Sequence, residues 1–180
     1  MEQPDLDLDV HWRPFELNDD TPEEGLPLAE YFGVPKEDVA SRQEGVRSRA
    51  AELGMPFRSP DIICNTRKAH ILSEYAREKG RLEPLHRALF QAYFAEGLNL
   101  ADGEVLREMA QRAGLDPEEA LAALGDPRYL AVVDAALQHA RDLGITGVPT
   151  FIVEGKYKMV GALPFEALRD ALRQIAVAAD

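Results

Sequence analysis

Gly147-Val148-Pro149-Thr150-Phe151-Ile152-Val153 is a glycine–X–proline turn that runs directly into a short apolar strand. A second apolar run, Tyr157 to Val160, follows across Gly155-Lys156. That spacing predicts strands over 150–154 and 157–160 joined by a two-residue hairpin with glycine first. Gly161 and Pro164 then lead into a terminal amphipathic helix with Phe165, Leu168, Leu172 and Ile175 on one stripe. On the other side of the turn lies the clearest helix of the chain. Tyr129, Val132, Val133, Ala136, Leu137, Ala140 and Leu143 trace one of its faces, and Gly144 stops it.

Further upstream the pattern is helical for most of its length. Residues 6–15 are the exception: Leu6, Leu8, Val10 and Trp12 alternate with Asp7, Asp9, His11 and Arg13. This period of two predicts a strand, limited by Pro14. Residues 17–33 are rich in turn formers, with one short helix near 28–32. Beyond Pro35, Val39, Val46, Ala50 and Leu53 recur at near-helical spacing before Gly54. Asn65 can cap a helix over 66–79 with Ala69, Leu72, Tyr75 and Ala76 facing inward. Pro84 suits the first turn of a helix that turns Leu85, Leu89, Ala92 and Tyr93 inward and ends by Gly97. Asp102 caps the next, through Leu106 and Met109 to Gly114. Asp116-Pro117-Glu118-Glu119 joins a cap, a first-turn proline and acidic first-turn residues, and Asp126-Pro127 repeats the device. The chain therefore reads as α/β: a lone strand, a long helical block, then helix, strand, strand, helix.

With 180 residues, 46% hydrophobic and 29% charged, the chain can build one domain with a sizeable core, or a smaller domain with an insertion. No apolar run approaches the ~20 residues of a membrane helix. The formal net charge of −12 argues against nucleic acid and against an anionic membrane surface, and leaves solubility as its plain meaning. The acidic opening residues have no basic or apolar signal-peptide region, so a cytoplasmic location is expected. A single cysteine, Cys64, excludes an internal disulfide and a thiolate zinc site. His11, His70, His86 and His139 show no ligand spacing, so no metal and no cofactor are expected.

The stretch from Gly144 to Ala162 resembles the DsbA family of thiol–disulfide oxidoreductases. His11-Trp12-Arg13-Pro14-Phe15-Glu16-Leu17-Asn18, Asn65-Thr66-Arg67-Lys68-Ala69-His70 and the aromatic run from Leu89 to Gly97 resemble three further motifs of its FrnE-like branch, in the family's order. The resemblance implies a thioredoxin-like α/β fold with a large inserted helical domain. Residues 1–18 and 127–180 would form the thioredoxin-like part and 19–126 the insertion. It also implies that the Val148-Pro149 bond is cis, and that Val148, Pro149 and Thr150 present backbone to an extended substrate peptide. Two departures stand out. The family's turn after the last strand commonly reads Gly-Ala-Gln-Pro, where this chain has Gly161-Ala162-Leu163-Pro164. More consequentially, the family's extra strand and Cys-x-x-Cys helix would precede Trp12, and the sequence contains neither, so the fold is expected to be N-terminally incomplete.

In the family a cysteine at a helix N-terminus is a ready thiolate, and exchange passes through a mixed disulfide. Cys64 precedes a candidate cap, yet Ile62-Ile63-Cys64 reads more simply as a buried structural cysteine, so no catalytic residue is assigned. His70, His86 and His139 fall on helices with no nucleophile nearby. Trp12 and Arg13 fit strand packing and a surface ion pair. Phe90, Tyr93 and Phe94 fit a helix–helix core. The expected function is a DsbA/FrnE-like oxidoreductase polypeptide that is inactive without its cysteine pair. A non-catalytic peptide-binding module is the alternative. So is a relative of the glutathione-dependent isomerases and kappa-class transferases, whose serine is equally absent. Partners are protein or peptide thiols and disulfides, with glutathione under the last reading. Without the strand between 10–15 and 150–154, the two must pair directly, recruit a strand from a second copy in a homodimer, or leave the fold poorly stable.

Overall fold

The computed structural model describes residues 6–58 and 60–179. They divide into two compact units, one over residues 18–135 and the other over residues 6–17 and 136–179. The division falls within a single helix.

The helical unit opens with a minimal bridge. Strand β1 (Leu26–Pro27) pairs antiparallel with β2 (Ile62–Ile63), Leu26 opposite Ile63. Gly25, at φ +86°, makes the approach possible: a Cβ there would stand 2.6 Å from the Ile62 Cδ1 and 3.0 Å from the Ile63 carbonyl. Helix α1 (Leu28–Phe32) follows, then a 3-10 turn over Lys36–Asp38, α2 (Val39–Arg42) and α3 (Glu44–Glu52). The even spacing of Val39, Val46, Ala50 and Leu53 does not produce one packed helix. It breaks at Gln43, and Val46 and Leu53 stay exposed. The stripe carries too few large apolar groups to be worth burying. The surface pairs Arg47–Glu44 and Arg49–Glu52 fit a solvated segment instead.

Helix α4 (Arg67–Glu78) is the centre of this unit. Ala69, Leu72, Tyr75 and Ala76 are buried as the period requires, but so are Ile71, Ser73 and Glu74. A helix enclosed on several sides must satisfy its polar side chains locally. The Ser73 hydroxyl donates to the Ala69 carbonyl at 2.8 Å, and Arg77 holds the Glu74 carboxylate at 3.0 Å. Against it pack α5 (Leu82–Gln91) and α7 (Pro117–Ala123); a π turn (Ala92–Glu96) and α6 (Gly103–Arg112) pack on α5, α6 also packs on α7, and Tyr129 in the first turn of α8 (Pro127–Asp142) meets Tyr75 edge-on. Each aspartate cap closes as its sequence predicts. Asp102 accepts the Glu104 N–H at 2.8 Å, and Asp116 accepts both Glu118 and Glu119 N–H at 2.9 Å. Asp126 accepts the Arg128 N–H at 2.8 Å. Leu28, Leu72, Leu85, Leu106, Met109 and Val133 are the largest fully buried side chains, and all lie in this unit.

The second unit holds β3 (Thr150–Val153), β4 (Tyr157–Val160) and α9 (Phe165–Ala179). The two strands pair antiparallel with Phe151 opposite Met159. The predicted two-residue turn is corrected to three residues, 154–156. Glu154 and Gly155 take φ +54° and +63°, the pair of positive values a type I′ turn uses, and this removes Glu154 from the strand. A larger correction concerns residues 6–15. They form no strand, and among the described residues no strand ladder includes them. Alternation gives a strand two faces but no hydrogen-bonding neighbour, and without one the extended conformation has no ladder to join. Trp12 is accordingly 61% exposed rather than packed. The terminal stripe is also only partly buried: Ile175 is, while Phe165 stays exposed.

Leu72→Ala is expected to cost about 2–5 kcal/mol in urea unfolding. Gly25→Ala is expected to lower the midpoint clearly through its strained φ and the Ile62 clash, and Val46→Ala to shift stability by no more than about 0.5 kcal/mol. A neutral Gly25→Ala variant would contradict the bridge geometry.

Candidate functional site

The loop ahead of β3 is placed by the way α8 ends. Gly144 adopts φ +61°, its N–H donates to the Arg141 carbonyl at 2.9 Å, and the Ile145 N–H reaches back to the Ala140 carbonyl at 2.9 Å. This is a Schellman closure, and it turns the chain sharply out of the helix into Thr146-Gly147. The Lys158 ammonium of β4 donates to the Leu143 carbonyl at 3.1 Å, a cation set at the helix C-terminus where the dipole favours it. The Thr150 hydroxyl donates to the Gly147 carbonyl at 2.7 Å and braces the turn from inside. Within it the Val148–Pro149 peptide is cis. Val148 is 53% exposed, Pro149 is exposed, and Thr150 is half-buried.

Ladder parity shows what this loop and strand offer. The Gly161 N–H donates to the Pro149 carbonyl at 2.8 Å, one step beyond the Thr150–Val160 pair. Hydrogen-bonded and non-bonded pairs alternate in an antiparallel ladder. Phe151 and Val153 therefore bond to Met159 and Tyr157, while Thr150 and Ile152 turn their N–H and C=O groups to the opposite edge. Among the described residues no backbone hydrogen bond reaches that edge. The site presents unpaired peptide groups beside an exposed Val148, and it contains no side-chain nucleophile.

Cys64 lies in the helical unit, directly after β2. It is 5% exposed, and burial pushes its thiol above the ordinary value of 9.0 despite a backbone hydrogen bond at Leu100. Exchange requires a thiolate, which this environment disfavours. His70 and His86 are half-buried and His139 is exposed on α8. Burial, then the nearby charges of Arg77 and His70, push the His86 imidazole below its usual value, so it is neutral at pH 7. Among the described residues no three of His, Cys, Asp or Glu are placed to hold a metal ion, and no helix is long and apolar enough to cross a membrane.

Two features escaped the sequence reading. One is a polar cluster between α4, α7 and α8. The Tyr75 hydroxyl donates to Glu119 at 2.9 Å, Lys79 pairs with the same carboxylate at 3.1 Å, and the Tyr129 hydroxyl donates to Glu78 at 2.8 Å. Burial and the Glu119 carboxylate push the Tyr75 phenol up to about 12. Its members are 44 and 51 residues apart, beyond the reach of any local pattern. The other is aromatic. Phe90 and Phe94, read as helix–helix core, are instead exposed: Phe90 lies on the outer side of α5, whose Leu85, Ala88 and Leu89 are buried, and Phe94 lies in the π turn beside Tyr93, whose hydroxyl donates to the Ile62 carbonyl.

The family model of the DSBA-like thioredoxin domain matches residues 1–173. The uncharacterized protein YwbO of Bacillus subtilis (strain 168) is 30% identical over 150 residues, 82% of this chain and 72% of that protein. The thiol:disulfide interchange protein DsbA of Azotobacter vinelandii is 33% identical over 78 residues, 43% of this chain and 36% of that protein. A crystal structure of a probable DsbA oxidoreductase from Streptomyces coelicolor superposes with a TM-score of 0.81 at 35% identity. The match covers 90% of this chain and 73% of that one.

Native Cys64 is expected to react far more slowly with a thiol reagent than in urea. The raised thiol value also sets a sign. The folded state keeps the thiol protonated while the unfolded chain ionises it, so the stabilisation is full below pH 9.0 and is lost as pH rises through the folded value. The stability advantage of the wild type over Cys64→Ala should therefore shrink between pH 7.5 and 10 (urea midpoints of both chains). An unchanged difference would contradict it.

Proposed function

The chain belongs to the DSBA-like thioredoxin domain family, and from that premise we propose that these 180 residues carry the peptide-docking half of a thiol–disulfide oxidoreductase site and not its dithiol. The observation that carries this reading is the pairing of an exposed Val148–Thr150 loop with a single, buried cysteine. Disulfide exchange forms a bond from a thiolate sulfur to one sulfur of the substrate disulfide and releases the other as a thiolate. A second thiol must then resolve the mixed disulfide and take up the new bond. One buried thiol cannot complete that cycle. The loop and strand can still perform the step that precedes it, which is to hold an extended polypeptide by its backbone.

In this reading Val148 offers its carbonyl, and Thr150 and Ile152 their peptide groups, to a segment lying along β3. Partners are reduced or disulfide-bearing polypeptides, recognised by backbone rather than by sequence. Residues 1–18 and 127–180 act as the thioredoxin-like part and 19–126 as the inserted helical domain. The motifs at Trp12-Arg13-Pro14-Phe15 and Asn65–His70 favour the FrnE-like branch. A second copy is the competing occupant of the open edge.

The chain is expected to give no insulin reduction or dithiol oxidation above the uncatalysed rate; turnover at catalytic amounts would overturn the proposal. On adding a cysteine-free unfolded peptide, the Thr150 and Ile152 amides should exchange with solvent more slowly. Protection that rises with protein concentration alone would instead assign the edge to a second copy.

A further inference from the structure

Phe57, Phe94 and Phe90 form a row on the helical unit. The Phe57 and Phe94 rings lie 6.2 Å apart at 25°, and Phe94 and Phe90 5.9 Å apart at 23°, so the three are stacked in one direction. Phe90 is 63% exposed and Phe94 37%, and Phe57 is half-buried. Single exposed apolar residues are ordinary, but an aligned row of three phenyl rings at the surface is not.

The row is held by backbone, not by chance rotamers. The Arg58 N–H donates to the Phe94 carbonyl at 2.7 Å and fixes the 57–58 segment against the π turn. The Tyr93 hydroxyl donates to the Ile62 carbonyl at 2.9 Å, and the Tyr93 ring meets Phe94 edge-on at 4.8 Å. The Phe57 and Phe94 positions are thereby set before any ligand arrives, which lowers the entropy cost of binding. A π turn is an unfavourable way to end a helix, and such turns recur where a protein presents something.

Arg58 gives the shelf a sign. Its guanidinium donates to the Glu96 carbonyl at 3.3 Å and meets no carboxylate among the described residues, while the Glu96 carboxylate is taken by Arg112. Arg58 thus stands beside the π turn that carries Phe94 as an available cation on a chain of net charge −12. A second copy docked symmetrically would bring Arg58 towards Arg58 and two strongly acidic chains together. An apolar segment with a carboxylate beside it avoids the first objection, and its few charges oppose the chain's own far more weakly than a second copy's would.

We propose that the Phe57–Phe94–Phe90 row with Arg58 is a docking shelf for an acid-flanked apolar segment of a polypeptide partner. The inference rests on the helical unit alone and is independent of the redox reading of the Val148 loop. The probe is a short fluorescein-labelled peptide of leucine and phenylalanine with terminal aspartates, compared with a twin carrying lysines in their place. Anisotropy titration of the chain should show tighter binding of the acidic peptide. Phe90→Ser, at an exposed position and with an unchanged thermal midpoint, should weaken it at least about tenfold. Arg58→Glu should abolish or reverse the preference between the two peptides. Wild-type affinity in Phe90→Ser, equal affinity for both peptides in the wild type, or no binding of either would overturn the proposal. So would a concentration-dependent dimer of the wild type that Phe90→Ser dissolves, which would make the shelf a self-contact.

Discussion

A peptide N–H or C=O withdrawn from water must find a partner, and helices and strands meet that demand differently. A helix satisfies its own interior and needs help only at its ends, where Asp102, Asp116 and Asp126 supply it. A strand has two edges and depends on neighbours for both. The helical unit closes on itself around α4 for the first reason. The hairpin unit presents an unpaired edge along β3 for the second, and the same demand explains why residues 6–15, with a strand's alternation, form no strand.

The legibility of the sequence follows the same line. Caps and stops are local, so Gly144, the aspartate caps and the inward faces of α4, α5 and α6 were readable from spacing alone. The Gly147 to Val153 turn and strand were readable too, and their family resemblance agrees with the match over residues 1–173. What failed was everything that depends on a distant partner. The alternation of residues 6–15 could not reveal that, among the described residues, no strand pairs with them. Nor could the period of Val39, Val46, Ala50 and Leu53 reveal that Val46 and Leu53 stay exposed. Tyr75 and Glu119 meet through tertiary packing, and the composition of an aromatic run does not tell which of its rings the packing covers, so Phe90 and Phe94 stay exposed.

The candidate site follows from the same geometry. The Schellman closure at Gly144 and the Thr150 hydroxyl fix the loop, Lys158 ties β4 to the end of α8, and ladder parity decides which peptide groups face outward. None of this requires a reactive side chain. Cys64 is buried where a neutral thiol is favoured, and it behaves as a small apolar residue of the helical unit.

The uneven distribution of buried side chains has a consequence for the lifetime of the molecule. Among the described residues, Leu137, Ala140, Ile175 and Pro14 are the buried apolar residues of the hairpin unit, and none of the largest fully buried ones belongs to it. Local opening free energies scale with such packing, so the hairpin unit is expected to open at lower cost than the helical unit. A protease sampling transient openings would enter through the hairpin unit, leaving residues 18–135 as the resistant remnant. The survival of the intact chain is then governed by its least packed block, and whatever covers the β3 edge would lengthen that survival by mass action.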